Sequence, residues 1–535
     1  MRTDTIWTKA DPFASLVAAR ADDDNPGLRF EDREWSWRQV VAEATARAEL
    51  ARSMQVDGPW HIGLLMENSP ENLFWVLAAG LSGATIVGIN PTRRGAELER
   101  DIDFTDIQLI VTDQAHRPLL DGLTLGCPPE RILTSDAPDF AALLEAEGDG
   151  TGGGFALPDP ATIFSLVFTS GTTSAPKAVI CSQGRLGTIA RQQQERRNLG
   201  PDDVFYVAMP MFHSNAIMAG IAPAVSAGGC IALRRKFSAS AWLEDVRRYK
   251  ATFFNYVGKP LNYILATPER PDDADNPLRI AFGNEANEKD IDTFSRRFGC
   301  QVIDSYGTSE GGMRINRTAG MPAGSLGLAD EGTAVIDPDT LEECPRAEFD
   351  EQGRLLNAEK AIGEIANTRN VNQFEGYYGN AEADDERVRH GILWSGDMAY
   401  RDADGFWYFA GRTSDRLRVD GENFAAAPVE RIVARFPAFN HVAVYAVPDE
   451  VVGDQVMIAV ELYPGTEFDP KAFGGFLAEQ PDLGTKWAPK YVRLSAALPR
   501  TSTSKVIKRQ LQAEGYDVPD RVFVRDGKEL VFREM

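Results

Sequence analysis

Cysteine is sparse in this 535-residue chain: Cys127, Cys181, Cys230, Cys300 and Cys344 stand far apart and form no C-x-x-C pair. An odd, scattered set argues against a disulfide framework and a zinc site, and fits reduced intracellular thiols. Each reads as a small buried hydrophobe rather than a nucleophile. A long hydrophobic run is missing too. The longest uncharged stretch, Leu73 to Asn90 (LFWVLAAGLSGATIVGIN), is short for a membrane span and broken by three glycines. It reads as a buried helix running into a buried strand. The first residues, MRTDTIWTKADPF, lack the apolar core of a signal peptide, so a cytoplasmic chain without a transmembrane segment is expected. Positive charge is not in excess either. A net charge of −23 argues against a general nucleic-acid or anionic-membrane surface, while a locally positive pocket could still take a small anion. No Gly/Ser tract, charge block or fixed-period repeat stands out, which argues against disorder and solenoid folds.

What is present is ordinary globular composition, 43% apolar and 25% charged, on a chain long enough for about two to four domains. The first part alternates helical and strand patterns: a helix at WSWRQVVAEATARAELARSM, then strands at HIGLLM, ATIVGINP and IQLIVTD. A second alternating stretch runs from DDVFYVAMP through CIALRRKF, SASAWLEDVRRYK, ATFFNYV and RIAFGNE to QVIDSYG, with a helix-like segment near Ile217 to Ala227. Such alternation predicts an α/β fold with mostly parallel, doubly wound sheets. From about Gly324 to Arg412 short strands with Gly/Asp turns predict a small distorted β-barrel or antiparallel sheet. A boundary is expected near Thr413 to Ser414, giving domains 1–412 and 413–535, the second a compact α+β unit.

Five segments carry chemistry. Phe168 to Ile180 (FTSGTTSAPKAVI) is rich in small hydroxyl residues whose backbone N–H groups could wrap an anion. It lacks the Walker spacing, since Lys177 follows Pro176, and alone it reads equally as a solvated turn. SYGTSEGG, Ser305 to Gly312, follows a strand end, where open α/β sheets place ligands. Tyr306 offers an aromatic face, Ser309 a hydroxyl and Glu310 a carboxylate suited to Mg²⁺; alone, the stretch reads as a turn with a buried tyrosine. Asp397 is expected on a turn, where it could accept both hydroxyls of a ribose, with Arg412 fifteen residues on; a surface salt bridge is the plain alternative. Gly421, in RVDGENF, fits a hairpin turn or a close backbone approach. Lys505 ends the polar loop of PRTSTSKVIKRQL and could equally be a solvated lysine.

Together, in this order and spacing from about Phe30 to Leu511, the segments resemble the adenylate-forming superfamily of acyl-CoA synthetases, adenylation domains and luciferases. The resemblance implies a large N-terminal adenylation domain and a small mobile C-terminal domain. It makes Thr169, Ser170, Gly171, Thr172 and Thr173 the loop that grips the β- and γ-phosphates of ATP, with Lys177 supporting the loop or its phosphates. Gly283, Asn284 and Glu285 become part of the adenine pocket, with Tyr306 and Gly307. Ser309 would touch the α-phosphate and Glu310 would hold Mg²⁺. Asp397 and Arg412 become the ribose pair, Gly421 a wall of the channel for the CoA thiol, and Lys505 the catalytic lysine of the mobile domain. Ser174, Ala178, Ser414 and Ser504 depart from the family pattern while keeping small side chains.

The implied reaction activates a carboxylate with ATP and passes the acyl group to CoA, releasing pyrophosphate and AMP. PMFHSNAIMAG aligns with the segment that walls the acyl pocket, making His213, Asn215 and Met218 its candidate residues; His213 reads equally as a core histidine. RVDGENFAAAPVE and RIAFGNEANEKDIDTFSRRFG are closest in style to long- and very-long-chain fatty-acid and steroid-carboxylate CoA ligases. A large apolar acid, fatty or steroidal, is therefore expected. Two other classes stay open: an enzyme loading its acyl group onto a carrier protein, and a degenerate nucleotide-binding regulator. No carrier domain is evident after Leu511, and Glu310, Asp397, Arg412 and Lys505 are retained. A homodimer is admitted as the assembly.

Overall fold

Serine caps start three helices in the first part of the chain. Ser36 forms a reciprocal capping box with Gln39 at the head of the helix Trp37–Ser53. Ser69 caps Pro70–Ser82, which ends on Gly83 in the left-handed region (φ 78°), and Ser182 caps Gln183–Arg197. A computed structural model describes residues 5–147, 156–168, 177–286, 288–318, 320–351, 355–412, 415–419, 422–449, 453–480, 482–484, 486–500, 506–527 and 529–535. These divide into two units, Met1–Gly312 with Asn370–Glu386, and Met313–Arg369 with Arg387–Met535.

The first unit holds two α/β sheets. One runs in the order Ile132–Thr134, Ile107–Thr112, His61–Leu65, Thr85–Gly88, Ile163–Phe168 and Ala178–Ser182, parallel except for its last, antiparallel member. The other places Gln301–Gly307, Ile280–Asn284, Phe253–Val257, Val204–Val207, Cys230–Leu233 and Pro26–Phe30 in parallel, with Arg33–Ser36 as an antiparallel edge. Strands buried on both faces explain the near-continuous apolar runs read from the sequence. Pro26–Phe30 departs from the sequential pattern: it pairs Leu28 with Ile231, about two hundred residues away, in the later sheet. The stretch Leu73 to Asn90 is a buried helix and strand, as its composition suggests. No helix among the described residues is long and apolar enough to cross a membrane.

The second unit contains two sheets of its own. Thr333–Ile336, Gly363–Asn367, Ile392–Arg401, Val388–Arg389 and Trp407–Arg412 form a five-stranded antiparallel sheet, the alternative the sequence left beside a barrel. The other sheet begins at Arg416 and is centred on the hairpin of Phe439–Asp449 and Gly453–Leu462. Its core is rich in phenylalanine: Phe436, Phe439, Phe468, Phe473, Phe523 and Phe532 pack together. The boundary that the sequence suggests, near Thr413 to Ser414, lies outside the described residues.

One local expectation needs correction. Asp397 is not on a turn: it lies inside the ten-residue strand Ile392–Arg401. Gly396, at φ 75°, and irregular pairing near Met398 distort that strand locally, and this produced the turn-like Ser-Gly-Asp signal. The helix-like segment expected near Ile217 to Ala227 is helical, π-type over Ala216–Ile221 and α-type over Ala222–Ala227. Extra backbone turns of this kind cluster where helices line functional sites.

Candidate active site

In the first unit, the strand Ala178–Ser182, the end of the FTSGTTSAPKAVI stretch, continues into the capped helix Gln183–Arg197. Ala178, one of the departures from the family pattern, is a fully buried strand residue paired with Phe168. Lys177, at the head of this strand, forms an ion pair with Glu386 at 3.1 Å and lies 5.7 Å from the centre of the Tyr377 ring. A second stretch of chain zips onto the strand: Ile180 N–H donates to the Gly376 carbonyl, and Tyr378 N–H to the Ala178 carbonyl.

That stretch delivers Tyr377 to Glu310. The phenol O–H donates to Glu310 Oε1 at 2.7 Å, and the carboxylate is buried. Neighbouring Ser309 lies 3.3 Å, oxygen to oxygen, from the Ser214 hydroxyl, and its carbonyl accepts from Arg185. Tyr306 and Gly307 end the strand Gln301–Gly307, which runs further into the motif than the sequence suggested. A buried oxygen donor that accepts the Tyr377 O–H fits Mg²⁺, a cation that takes one or two carboxylates and draws its other ligands from phosphate and water. Among the described residues no group of three or more His, Cys, Asp or Glu side chains forms a dedicated metal cage.

Gly283 and Asn284 end the neighbouring strand, and Glu285 follows at φ 70°. A Cβ at Gly283 would stand 2.3 Å from the Tyr256 carbonyl, so only glycine lets the two strands run this close. The Tyr256 hydroxyl in turn donates to Asp304, which also accepts the Ala286 N–H. Of the acyl-pocket candidates, Asn215 donates to the Tyr256 carbonyl and accepts from the fully buried Asn255. His213 packs on Phe212 with ring centres 4.3 Å apart, and Met218 sits half-buried on the π-helical turn.

In the second unit, Asp397 and Arg412 are direct cross-strand partners, with Nε 3.7 Å from Oδ1. The Asp397 N–H donates to Ser395 Oγ. Glu364, almost wholly buried on the adjoining strand, accepts the Gly396 N–H at 2.7 Å and an Arg389 N–H at 3.1 Å. Burial pushes its carboxyl above the usual range, against the opposing pull of the Gly396 N–H, Arg389 and Arg387. Further on, Lys508 is held between Asp415 (3.1 Å) and Glu430 (2.8 Å). Burial alone would lower its ammonium; the two carboxylates outweigh that and hold it above its ordinary value.

Thr169, Ser170, Gly171, Thr172, Thr173, Gly421 and Lys505 lie outside the described residues, as do Ser174, Ser414 and Ser504. The structure adds residues the sequence reading missed: Tyr377, Arg185, Glu375 and Glu364. Only Tyr377 carried a signal, the doubled tyrosine of EGYYG. The other three are ordinary charged residues whose burial no local pattern reveals.

Residues 16–378 match the family described as AMP-binding enzyme, and residues 428–505 match the AMP-binding enzyme C-terminal domain. The chain belongs to the AMP-binding enzyme family. Steroid-22-oyl-CoA synthetase of Rhodococcus jostii is 48% identical over 512 residues, covering 96% of this chain and 92% of the relative. Medium/long-chain-fatty-acid–CoA ligase FadD17 of Mycobacterium marinum is 47% identical over 520 residues, 97% of this chain and 99% of the relative. Among solved structures, ATP-bound MatB from Rhodopseudomonas palustris superposes with a TM-score of 0.81 at 23% identity, covering 94% of this chain and 98% of that one. At that identity the likeness speaks for the fold. The expected resemblance to acid–CoA ligases of the fatty and steroidal kind is borne out by these relatives.

Proposed function

We propose that the protein is an AMP-forming acid–CoA ligase for a large apolar carboxylic acid, fatty or steroidal. The observation that carries the reading is likeness along nearly the whole chain, at 47–48% identity, to relatives named for a steroid-22-oyl and a medium/long-chain fatty acyl group.

A carboxylate is a poor acyl electrophile because it is anionic and would have to expel oxide. In the first half-reaction a substrate carboxylate oxygen attacks the α-phosphorus of ATP, and the bond to the β-phosphate bridging oxygen breaks. Pyrophosphate leaves, and a mixed anhydride with AMP forms. In the second, the CoA sulfur attacks the acyl carbon, AMP departs with its oxygen, and the thiol proton passes to solvent. Bringing one anion to another requires fixed donors and positive potential. Thr169 to Thr173 and Lys177 would grip the β- and γ-phosphates. Ser309 would meet the α-phosphate, and Tyr306 with Gly283 to Glu285 would hold adenine. Asp397 and Arg412 would hold the ribose, and Lys505 would balance charge between carboxylate and α-phosphate. Glu310 would hold Mg²⁺, which neutralises phosphate charge when bound. His213, Asn215 and Met218 would wall the acyl group, and Gly421 the thiol channel. The five free, buried cysteines support a reducing compartment such as the cytoplasm.

The test is pyrophosphate release across short, long-chain, aromatic and steroidal acids, with and without CoA. The expected result is turnover with large apolar acids that yields a free thioester only when CoA is present. Preference for acetate or an amino acid would overturn the substrate class, and adenylation without any CoA thioester would overturn the ligase assignment.

A further inference from the structure

Arg185 is the third residue of the helix Gln183–Arg197, and its N–H donates to the Ser182 cap. Its side chain does not reach solvent: the residue is 2% exposed. The guanidinium touches three stretches that are remote in sequence. Nη1 donates to the Ile180 carbonyl at 3.1 Å, in the strand that leaves the phosphate loop. Nη2 donates to the Ser309 carbonyl at 2.5 Å. Nη1 also stands 3.8 Å from Oε2 of Glu375, a residue with no exposed surface, and that oxygen accepts the Ser182 N–H at 2.9 Å.

Glu375 leads directly into Gly376 and Tyr377, the stretch that pairs with Ala178 to Ile180 and sends the Tyr377 hydroxyl to Glu310. One guanidinium thus contacts both ends of the Ser309–Glu310 support: the Ser309 carbonyl directly, and Glu310 through Glu375 and Tyr377. Gly311, at φ 79°, makes room for it, since a Cβ there would lie 2.9 Å from Nη2. Burial pushes the Glu375 carboxyl up, with Arg185 and Ser182 opposing it. A charged pair 3.8 Å apart is an expensive way to fill a core, where apolar residues of the same volume are often as stable or more so. What the pair supplies and an apolar filling cannot is a planar, two-armed donor between two carbonyls.

We propose that Arg185 is the positioning residue of the adenylating site, fixing Ser309–Glu310 and the Glu375–Tyr377 stretch against the strand that leaves the phosphate loop. The inference rests on the ligase reading above and adds a residue to it. Because Arg185 acts through Ser309 and Glu310, its loss falls on the half-reaction that handles phosphate. A displacement of about 1 Å at such a site costs on the order of a hundredfold in rate.

The experiment compares wild type with Arg185→Lys and with the double variant Arg185→Met/Glu375→Gln, which leaves no buried charge unpaired. Four quantities are read: thermal stability, binding of Mg²⁺·ATP by calorimetry, pyrophosphate release as Mg²⁺ is titrated, and thiolysis of a supplied acyl-adenylate. In the double variant, pyrophosphate release is expected to fall by about ten- to a hundredfold, with more Mg²⁺ needed for half-maximal rate. Thiolysis is expected to stay within about twofold, because it needs no phosphate-bound cation. Lysine restores thermal stability but not the rate, since one ammonium cannot span both carbonyls. Equal losses in both half-reactions, an unchanged Mg²⁺ requirement, or full rescue by lysine would each overturn the proposal. If wild type binds Mg²⁺·ATP yet releases no pyrophosphate with any acid, the ligase reading fails on its own. Calorimetry then decides for Arg185: weaker Mg²⁺·ATP binding in the double variant supports it, and unchanged binding overturns it.

Discussion

Asp397 and Arg412 face each other across neighbouring antiparallel strands, so fifteen residues of separation in sequence collapse to a 3.7 Å contact. An anionic acceptor for two vicinal hydroxyls, steadied by a cation on the next strand, suits a ribose. Hydrogen bonds to charged groups are worth about 1.5–3 kcal/mol, so Asp397→Asn is expected to weaken ATP binding by roughly ten- to a hundredfold. Steady-state kinetics with ATP and 2′-deoxy-ATP checks the cause. Wild type should discriminate between the two nucleotides and the variant should not. An Asp397→Asn enzyme that still discriminates would remove Asp397 from the ribose.

Lys505 and Gly421 should separate the two half-reactions in opposite directions. Lys505→Ala is expected to cut pyrophosphate release by about a hundred- to a thousandfold, the usual cost of losing a preorganised charge-stabilising donor. Thiolysis of a supplied acyl-adenylate should persist. Gly421→Trp should do the reverse, obstructing the thiol while sparing adenylation. Rapid-quench measurement of each half-reaction decides the matter, and a common loss in both would contradict the roles assigned.

Motifs that are continuous along the chain were legible; contacts made at a distance were not. The alternating runs revealed the doubly wound sheets because parallel strands buried on both faces are apolar throughout. SYGTSEGG is readable as a motif because its residues are consecutive, at and just beyond the end of the strand Gln301–Gly307. Arg185, Glu375 and Glu364 were invisible because a charged residue is nearly always exposed unless paired, and only the fold creates the partner. The strand Pro26–Phe30 was hidden for the same reason: its pairing with Cys230–Leu233 leaves no periodic trace. The turn expected at Asp397 is a strand, since Gly396 carries a turn's signal inside it.

The thiols should be inert while the protein is folded. All five are buried, and burial pushes Cys181, Cys230 and Cys300 up to about 12 and Cys127 and Cys344 up to about 11. Thiolate is the reactive form, so at pH 8 almost none is present. Titration with a disulfide reagent should report no fast-reacting thiol in the native enzyme and five after denaturation. A fast-reacting native thiol would show that one of these sites opens.

Glu364 should leave a signature in the pH dependence of stability. Its carboxyl is raised by burial above the ordinary value of 4.5 while Gly396 N–H, Arg389 and Arg387 pull the other way. A folded-state value above the unfolded one means the native protein binds the proton more tightly. The contribution is therefore complete below pH 4.5 and is lost as pH rises through the raised value. Glu364→Gln cannot lose it, and its amide oxygen can still accept the Gly396 N–H next to Asp397. The melting temperature of the variant relative to wild type should accordingly increase from pH 5 to pH 8, with the preference for ATP over 2′-deoxy-ATP retained. Glu364→Leu removes the acceptor as well and should weaken that preference. A glutamine variant whose relative stability falls with pH would mean that Arg389 and Arg387, and not burial, set the state of this carboxyl.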